Sequence, residues 1–201
     1  MAPRMDPSEA LARLLEGNRR YLEGRLRPVL HANPEHRPYA AVLGCCDSRV
    51  PPELLFDAMP GDLLVLRTPA HIAEPTVVGA LEHAVQADGV PLIAVLGHTG
   101  CRLLGAAVEL HLKGLTEAQG PNVHAVLRLI QPSVLQAFGS HSIDPRKVPR
   151  LHLEATLRTL RKSFTLSRAL QSGRLQIVPL MCEVATGRVD PAWESLGAIA
   201  A

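Results

Sequence analysis

Tyr39-Ala-Ala-Val-Leu-Gly44, followed at once by Cys45-Cys-Asp-Ser-Arg-Val50, decides how the chain is read. A short apolar run bounded by Pro38 and Gly44 reads as a strand buried on both faces. Thiol and charged residues begin where that strand ends. The pattern recurs in Asp62-Leu-Leu-Val-Leu-Arg67 and in Pro91-Leu-Ile-Ala-Val-Leu96, the latter running into Gly97-His-Thr-Gly-Cys101. Helical patterns over 51–58, 76–87 and 101–112 separate and follow these runs. Strands alternating with helices predict an α/β fold, a central and mostly parallel β-sheet flanked by helices. Ligand sites of such a sheet lie beyond the carboxyl ends of its strands.

On the N-terminal side, Leu11, Leu14, Leu15 and Leu22 recur at helical spacing over 7–23, with Asp6 or Ser8 as N-cap. A Pro- and His-containing arm over 24–38 follows. On the C-terminal side the spacing predicts a helix over 123–138 interrupted at Pro132, one long basic helix over 150–171, and a last strand over 174–181 before a turn at 185–187. No repeat or linker divides the chain. The expected organisation is a single domain over 1–201, with an N-terminal helix and arm over 1–38 and an α/β core with helical cover over 39–201.

Of the 201 residues, 47 % are apolar, too many for a disordered chain, and only 3 % are aromatic, too few for stacking along a nucleic-acid strand. The 21 Lys and Arg nearly balance 19 Asp and Glu, with no basic run, so neither nucleic acid nor an anionic membrane is an expected partner. The first residues do not read as a secretory signal, and no apolar run approaches the ~18 residues of a membrane span. A cytoplasmic protein is expected. Its cysteines, at 45, 46, 101 and 182, then point to burial, metal or catalysis before disulfides.

Cys45 follows the first strand, while His98 and Cys101 follow the third, so two thiols and an imidazole can meet at one sheet edge. Such a donor set favours zinc. The i, i+3 spacing of His98 and Cys101 at a helix start puts both on one face. One position stays open for water, hydroxide or a carboxylate. Taken singly, each piece has a plainer reading: a structural H-x-x-C, a buried Cys pair, an Asp47-Ser-Arg49 helix cap.

Together, CCDSRVPPELLFD resembles the C-x-D-S-R motif of the β-class carbonic anhydrases, and GHTGC resembles their H-x-x-C motif. The likeness extends to EGNRRYLEGRL, GDLLVLR and IVPLMCEVATGRV. It implies zinc ligated by Cys45, His98 and Cys101, with Cys46 at the variable position and packed. It implies Asp47 and Arg49 as the catalytic pair, Arg49 holding Asp47 off the metal or releasing it to close the site. The reaction implied is zinc-dependent, reversible hydration of CO₂ to bicarbonate. The assembly implied is a homodimer, or dimers of it, with the pocket at the interface.

The chain departs from the family pattern at several positions. His36 stands where a substrate-contacting Gln is usual, His71 replaces an Asn, Arg102 a Gly and Cys182 a Tyr, and Val42 replaces the Trp of the bicarbonate-regulated subgroup. His36 and His71 are candidate substrate-pocket residues, as rim histidines or as proton shuttles. His83, His111, His124, His141 and His152 are expected to be solvated. Two alternatives follow from the departures. One is hydrolysis of a sulfur analogue of CO₂, carbonyl sulfide or carbon disulfide; the other is a zinc-stabilised, non-catalytic homologue, favoured if Arg102 fills the site.

Overall fold

The structure, a computed structural model, describes residues 5–28, 37–114, 120–138 and 144–191. Its centre is a five-stranded sheet in the order β2-β1-β3-β4-β5, formed by β1 (Ala40–Cys45), β2 (Leu63–Thr68), β3 (Leu92–His98), β4 (Gln176–Glu183) and β5 (Arg188–Pro191). The first four strands run parallel and β5 is antiparallel to β4. Every residue of β1 and β3 is buried, as their unbroken apolar runs require of strands covered on both faces.

Alternate side chains leave the sheet in opposite directions and feed two cores. Ala40, Val42, Leu92, Ala94 and Leu96 pack under α1 (Pro7–Leu22), α2 (Pro52–Leu55), α4 (Arg102–Leu112) and α5 (Pro121–Ala137). Ala41, Ile93 and Val95 pack under α3 (Pro75–His83), α6 (Val148–Arg161) and α7 (Phe164–Gln171). Helix α1 starts at Asp6, whose carboxylate accepts the Ser8 amide at 2.8 Å. It lies against the end of α2 so closely that a Cβ at Gly17 would sit 1.8 Å from the Phe56 carbonyl oxygen.

Several sequence expectations are corrected. The long helix expected over 150–171 is two helices, α6 and α7, because the Ser163 hydroxyl caps the Leu166 amide at 3.1 Å and donates to Glu82 at 2.5 Å. Conversely, Pro132 does not interrupt α5. Burial of Ile130, Ser133 and Val134 around it holds the helix through the missing amide. The turn at 185–187 leads into β5, too short to announce itself. Pro179 sits inside β4, yet β5 pairs only with Leu180–Glu183, so its missing N–H interrupts no ladder to β5.

From β1 the chain moves one way to β2 and returns past β1 to β3. The strand order therefore reverses between β1 and β3. In open α/β sheets the crevice at that reversal, outside the carboxyl ends, is where ligands bind. Cys45 closes β1 and His98 closes β3.

Candidate metal centre

Cys45 Sγ, a ring nitrogen of His98 and Cys101 Sγ lie within 4.8 Å of one another, all three residues buried. Each is placed by backbone. Arg67 on β2 donates through Nε to the Cys45 carbonyl at 3.0 Å and through Nη2 to that of Asp47, and the Cys46 amide reaches the Thr68 carbonyl at 3.0 Å. Thr99 ties the other side to β4, its amide bonding the Cys182 carbonyl at 2.9 Å and its hydroxyl accepting from the Val184 amide at 3.0 Å. Gly100 then turns with φ 64°, a left-handed value suited to glycine, and Cys101 caps α4.

The donor chemistry fits a soft cation. His98 Nδ1 lies 3.0 Å from the Thr99 carbonyl, which can only accept, so Nδ1 carries the proton and Nε2 offers its lone pair. That Nε2 is buried without a hydrogen-bond partner among the described residues. The Cys45 and Cys101 sulfurs lie together, so sharing one proton pulls the Cys45 thiol down and pushes Cys101 up. One thiolate therefore forms readily, while the second keeps its proton until a cation compensates the charge. Burial opposes protonation of His98, but the neighbouring Cys45 sulfur and the Thr99 carbonyl outweigh it and raise its pKa.

Beside the sulfurs, Arg49 grips Asp47 with Nε to Oδ1 at 2.9 Å and Nη2 to Oδ2 at 2.7 Å. The Arg49 amide adds a bond to Oδ1 at 3.0 Å, and Nη2 also reaches the Gly100 carbonyl at 3.0 Å. These bonds hold Asp47 well below the usual carboxylate range. An open cavity of about 750 Å³ is lined by Cys45, Asp47, Arg49, Cys101 and Arg102 among others. Arg102 stands exposed on its wall. Cys46 is exposed on the same wall, not packed, and burial together with the Cys45 sulfur raises its pKa.

Of the two candidate pocket histidines, His36 lies outside the described residues. His71 is not on the rim. It is 2 % exposed beneath the centre, its Nδ1 3.2 Å from the Thr156 hydroxyl, and burial drives its pKa well below 6.5. A buried, neutral imidazole is poorly suited to shuttle protons to solvent. His152, expected to be solvated, is 3 % exposed, its ring centroid 5.1 Å from that of His71 with the planes tilted by 36°. The signal for it was present: Val148, His152, Thr156 and Leu160 recur every four residues along α6, and all are buried. Cys182 is buried at the β3–β4 pairing, opposite His98, and burial raises its thiol to about 11.

The sequence family described as carbonic anhydrase matches residues 40–189. The carbonic anhydrase of Mycolicibacterium smegmatis is 34 % identical over 200 residues, 94 % of each chain. Carbonic anhydrase 2 of Mycobacterium tuberculosis is 33 % identical over 196 residues, covering 92 % of this chain and 93 % of that one. Among solved structures, the Coccomyxa β-carbonic anhydrase with acetazolamide superposes with a TM-score of 0.68 at 22 % identity, covering 90 % of this chain and 85 % of that one. A tetrameric β-carbonic anhydrase of Sordaria macrospora gives 0.67 at 22 % identity, covering 78 % and 81 %. At that identity the likeness concerns the fold.

Proposed function

Because the chain belongs to the β-class carbonic anhydrase family, whose members are carbonate dehydratases, we propose that it hydrates CO₂ reversibly to bicarbonate and a proton. Zinc is the metal we assign, held by Cys45, His98 and Cys101. The observation that carries this reading is the meeting of two sulfurs and an imidazole within 4.8 Å, beside a carboxylate clamped by arginine on a cavity wall. When bound, zinc supplies Lewis acidity that makes water nucleophilic near neutral pH.

The chain's own residues supply orientation. Asp47 stays ionised and is an acceptor only, so it can receive a hydrogen bond from a water beside it but is too acidic to keep a proton. Arg49 fixes the plane of that carboxylate, and its second bond, to Gly100, ties the pair to the loop leading into Cys101. The guanidinium groups of Arg49 and Arg102 on the cavity wall favour an anionic product at its mouth. The released proton passes to buffer.

A cytoplasmic homodimer, or an assembly of dimers, completes the proposal. Strand β2 forms one edge of the sheet and is mostly half-buried, with Leu63, Leu64 and Leu66 along it. An apolar edge of that kind is normally covered. The free thiols at 45, 46, 101 and 182 suit a reducing compartment.

The test is CO₂ hydration by protein of measured zinc content. Turnover above buffer that scales with zinc is the expected result. Turnover only on carbonyl sulfide or carbon disulfide would reassign the substrate, and zinc-loaded protein inert toward all three would leave a non-catalytic homologue.

A further inference from the structure

Helix α6 reaches the metal centre through a chain of buried hydrogen bonds. His152 Nε2 lies 3.1 Å from the Ala70 carbonyl oxygen, and its Nδ1 lies 3.3 Å from the Ser133 hydroxyl on α5. A carbonyl can only accept, so Nε2 carries the proton and Nδ1 accepts from Ser133. The tautomer is thereby fixed. One turn further along α6, the Thr156 hydroxyl lies 3.2 Å from the His152 carbonyl oxygen and 3.4 Å from that of His71.

The segment these groups hold is unusual. Ala70 and His71 have φ of 49° and 50°, two successive left-handed residues that are not glycine. Such a conformation persists only where its surroundings impose it, and it concentrates at functional sites. The segment follows Thr68, which pairs with Cys45 in the sheet, and the Thr68 hydroxyl closes it by donating to the Ile72 carbonyl at 2.9 Å. His71 Nε2 would stand 3.7 Å from a Cβ at Gly97, the residue before His98. The Ala70 backbone favours the Cys45 thiolate.

We propose that His152 is a positioning residue of the metal centre: through the Ala70 carbonyl it holds the left-handed Ala70-His71 turn that follows Thr68, the sheet partner of Cys45, and runs beside Gly97, the residue before His98. The inference rests on Cys45 being a metal ligand, as proposed above. His152 touches neither metal nor substrate, and it acts from a helix whose other buried residues belong mainly to the opposite core. Outer partners of this kind typically change metal affinity about 10–100-fold when removed.

The test is metal binding by the full chain, read by zinc competition and by the thiolate-to-metal absorption of the cobalt(II) form. His152→Leu should bind zinc about 10–100-fold more weakly and show altered cobalt absorption. His152→Gln, whose amide can still donate to Ala70, should restore most of the affinity and the wild-type spectrum. Ser133→Ala, which removes the donor fixing the tautomer, should weaken binding in the same direction, and it carries the test if His152→Leu does not fold. Wild-type affinity and spectrum in His152→Leu, or in Ser133→Ala if the former is unfolded, would overturn the inference. A wild-type chain that binds no zinc would overturn it together with the reading beneath it.

Discussion

Arg49 holds Asp47 by two parallel bonds, Nε to Oδ1 at 2.9 Å and Nη2 to Oδ2 at 2.7 Å, so the pair moves as one rigid unit beside Cys45 and Cys101. A bidentate clamp fixes both position and plane, which a point charge does not. Arg49→Ala frees a carboxylate that remains ionised and lies beside the three candidate metal donors. It should rotate toward them and obstruct the water site. CO₂ hydration should fall by about tenfold or more, the scale of losing a group that positions a reactant, while zinc content stays unchanged. Arg49→Lys should recover only part of the activity. Wild-type turnover in Arg49→Ala would contradict the clamp.

The two adjacent cysteines differ in placement. Cys45 is buried with its sulfur among the donor atoms, whereas Cys46 faces the cavity. Cys46→Ser should keep about one zinc per chain, and Cys101→Ser should lose most of it, because a serine hydroxyl does not ionise as a thiol does. Elemental analysis of dialysed protein decides this. Equal zinc in the two variants would remove Cys101 from the ligand set.

The gross architecture was legible because β1 and β3 are unbroken apolar runs whose carboxyl ends carry the chemistry, and periodicity alone finds both. What stayed hidden depends on partners distant in sequence. The break between α6 and α7 comes from Ser163 bonding Glu82, 81 residues earlier, on a stretch whose helical pattern runs on unbroken. Strand β5 pairs with β4 and is fastened to α1 by the Asn18 side chain, which accepts the Val189 amide at 2.9 Å. His152 lies on the buried stripe of α6, but its partners Ala70 and Ser133 come from two other segments that no local pattern joins to it. The replacement of a family Asn by His71 was visible, but its burial was not.

Docking of α1 offers a test of the fold itself. A Cβ at Gly17 would collide with the backbone carbonyl of Phe56, which no rotamer change can relieve. Gly17→Ala should therefore destabilise the protein by about 1–3 kcal/mol or more, the usual cost of overpacking a tight contact. Asn18 beside it bonds the Leu55 and Gly187 carbonyls at 3.0 and 2.9 Å as well as the Val189 amide. Asn18→Ala should cost a similar ~1–3 kcal/mol, since it strands buried backbone groups. Urea midpoints measure both. Stability equal to wild type in Gly17→Ala would mean that α1 does not pack on Phe56.

The buried histidines give stability a pH dependence of known sign. Burial holds His152 down at about 4 and drives His71 well below 6.5, whereas an unfolded histidine titrates near 6.5. Above pH ~6.5 each is neutral in both states, and its contribution is fully present. As the pH falls from 6.5 toward 4, the unfolded chain takes up protons that the native His152 refuses, so the folded state loses ground. The loss is up to ~1.4 kcal/mol per pH unit for each such group. Carboxylates with lowered pKa values, such as Asp57 between Arg20 and Arg27, begin to act below about pH 5, equally in wild type and variant. His98, shifted upward, works in the opposite direction but equally in wild type and variant. His152→Gln removes one titrating imidazole and keeps a donor for the Ala70 carbonyl. Compared as metal-free chains, its urea midpoint should fall less than wild type between pH 7 and 4.5. Parallel curves for the two proteins would show that His152 gains its proton in the folded state as readily as in the unfolded one, and would refute its burial against Ala70 and Ser133.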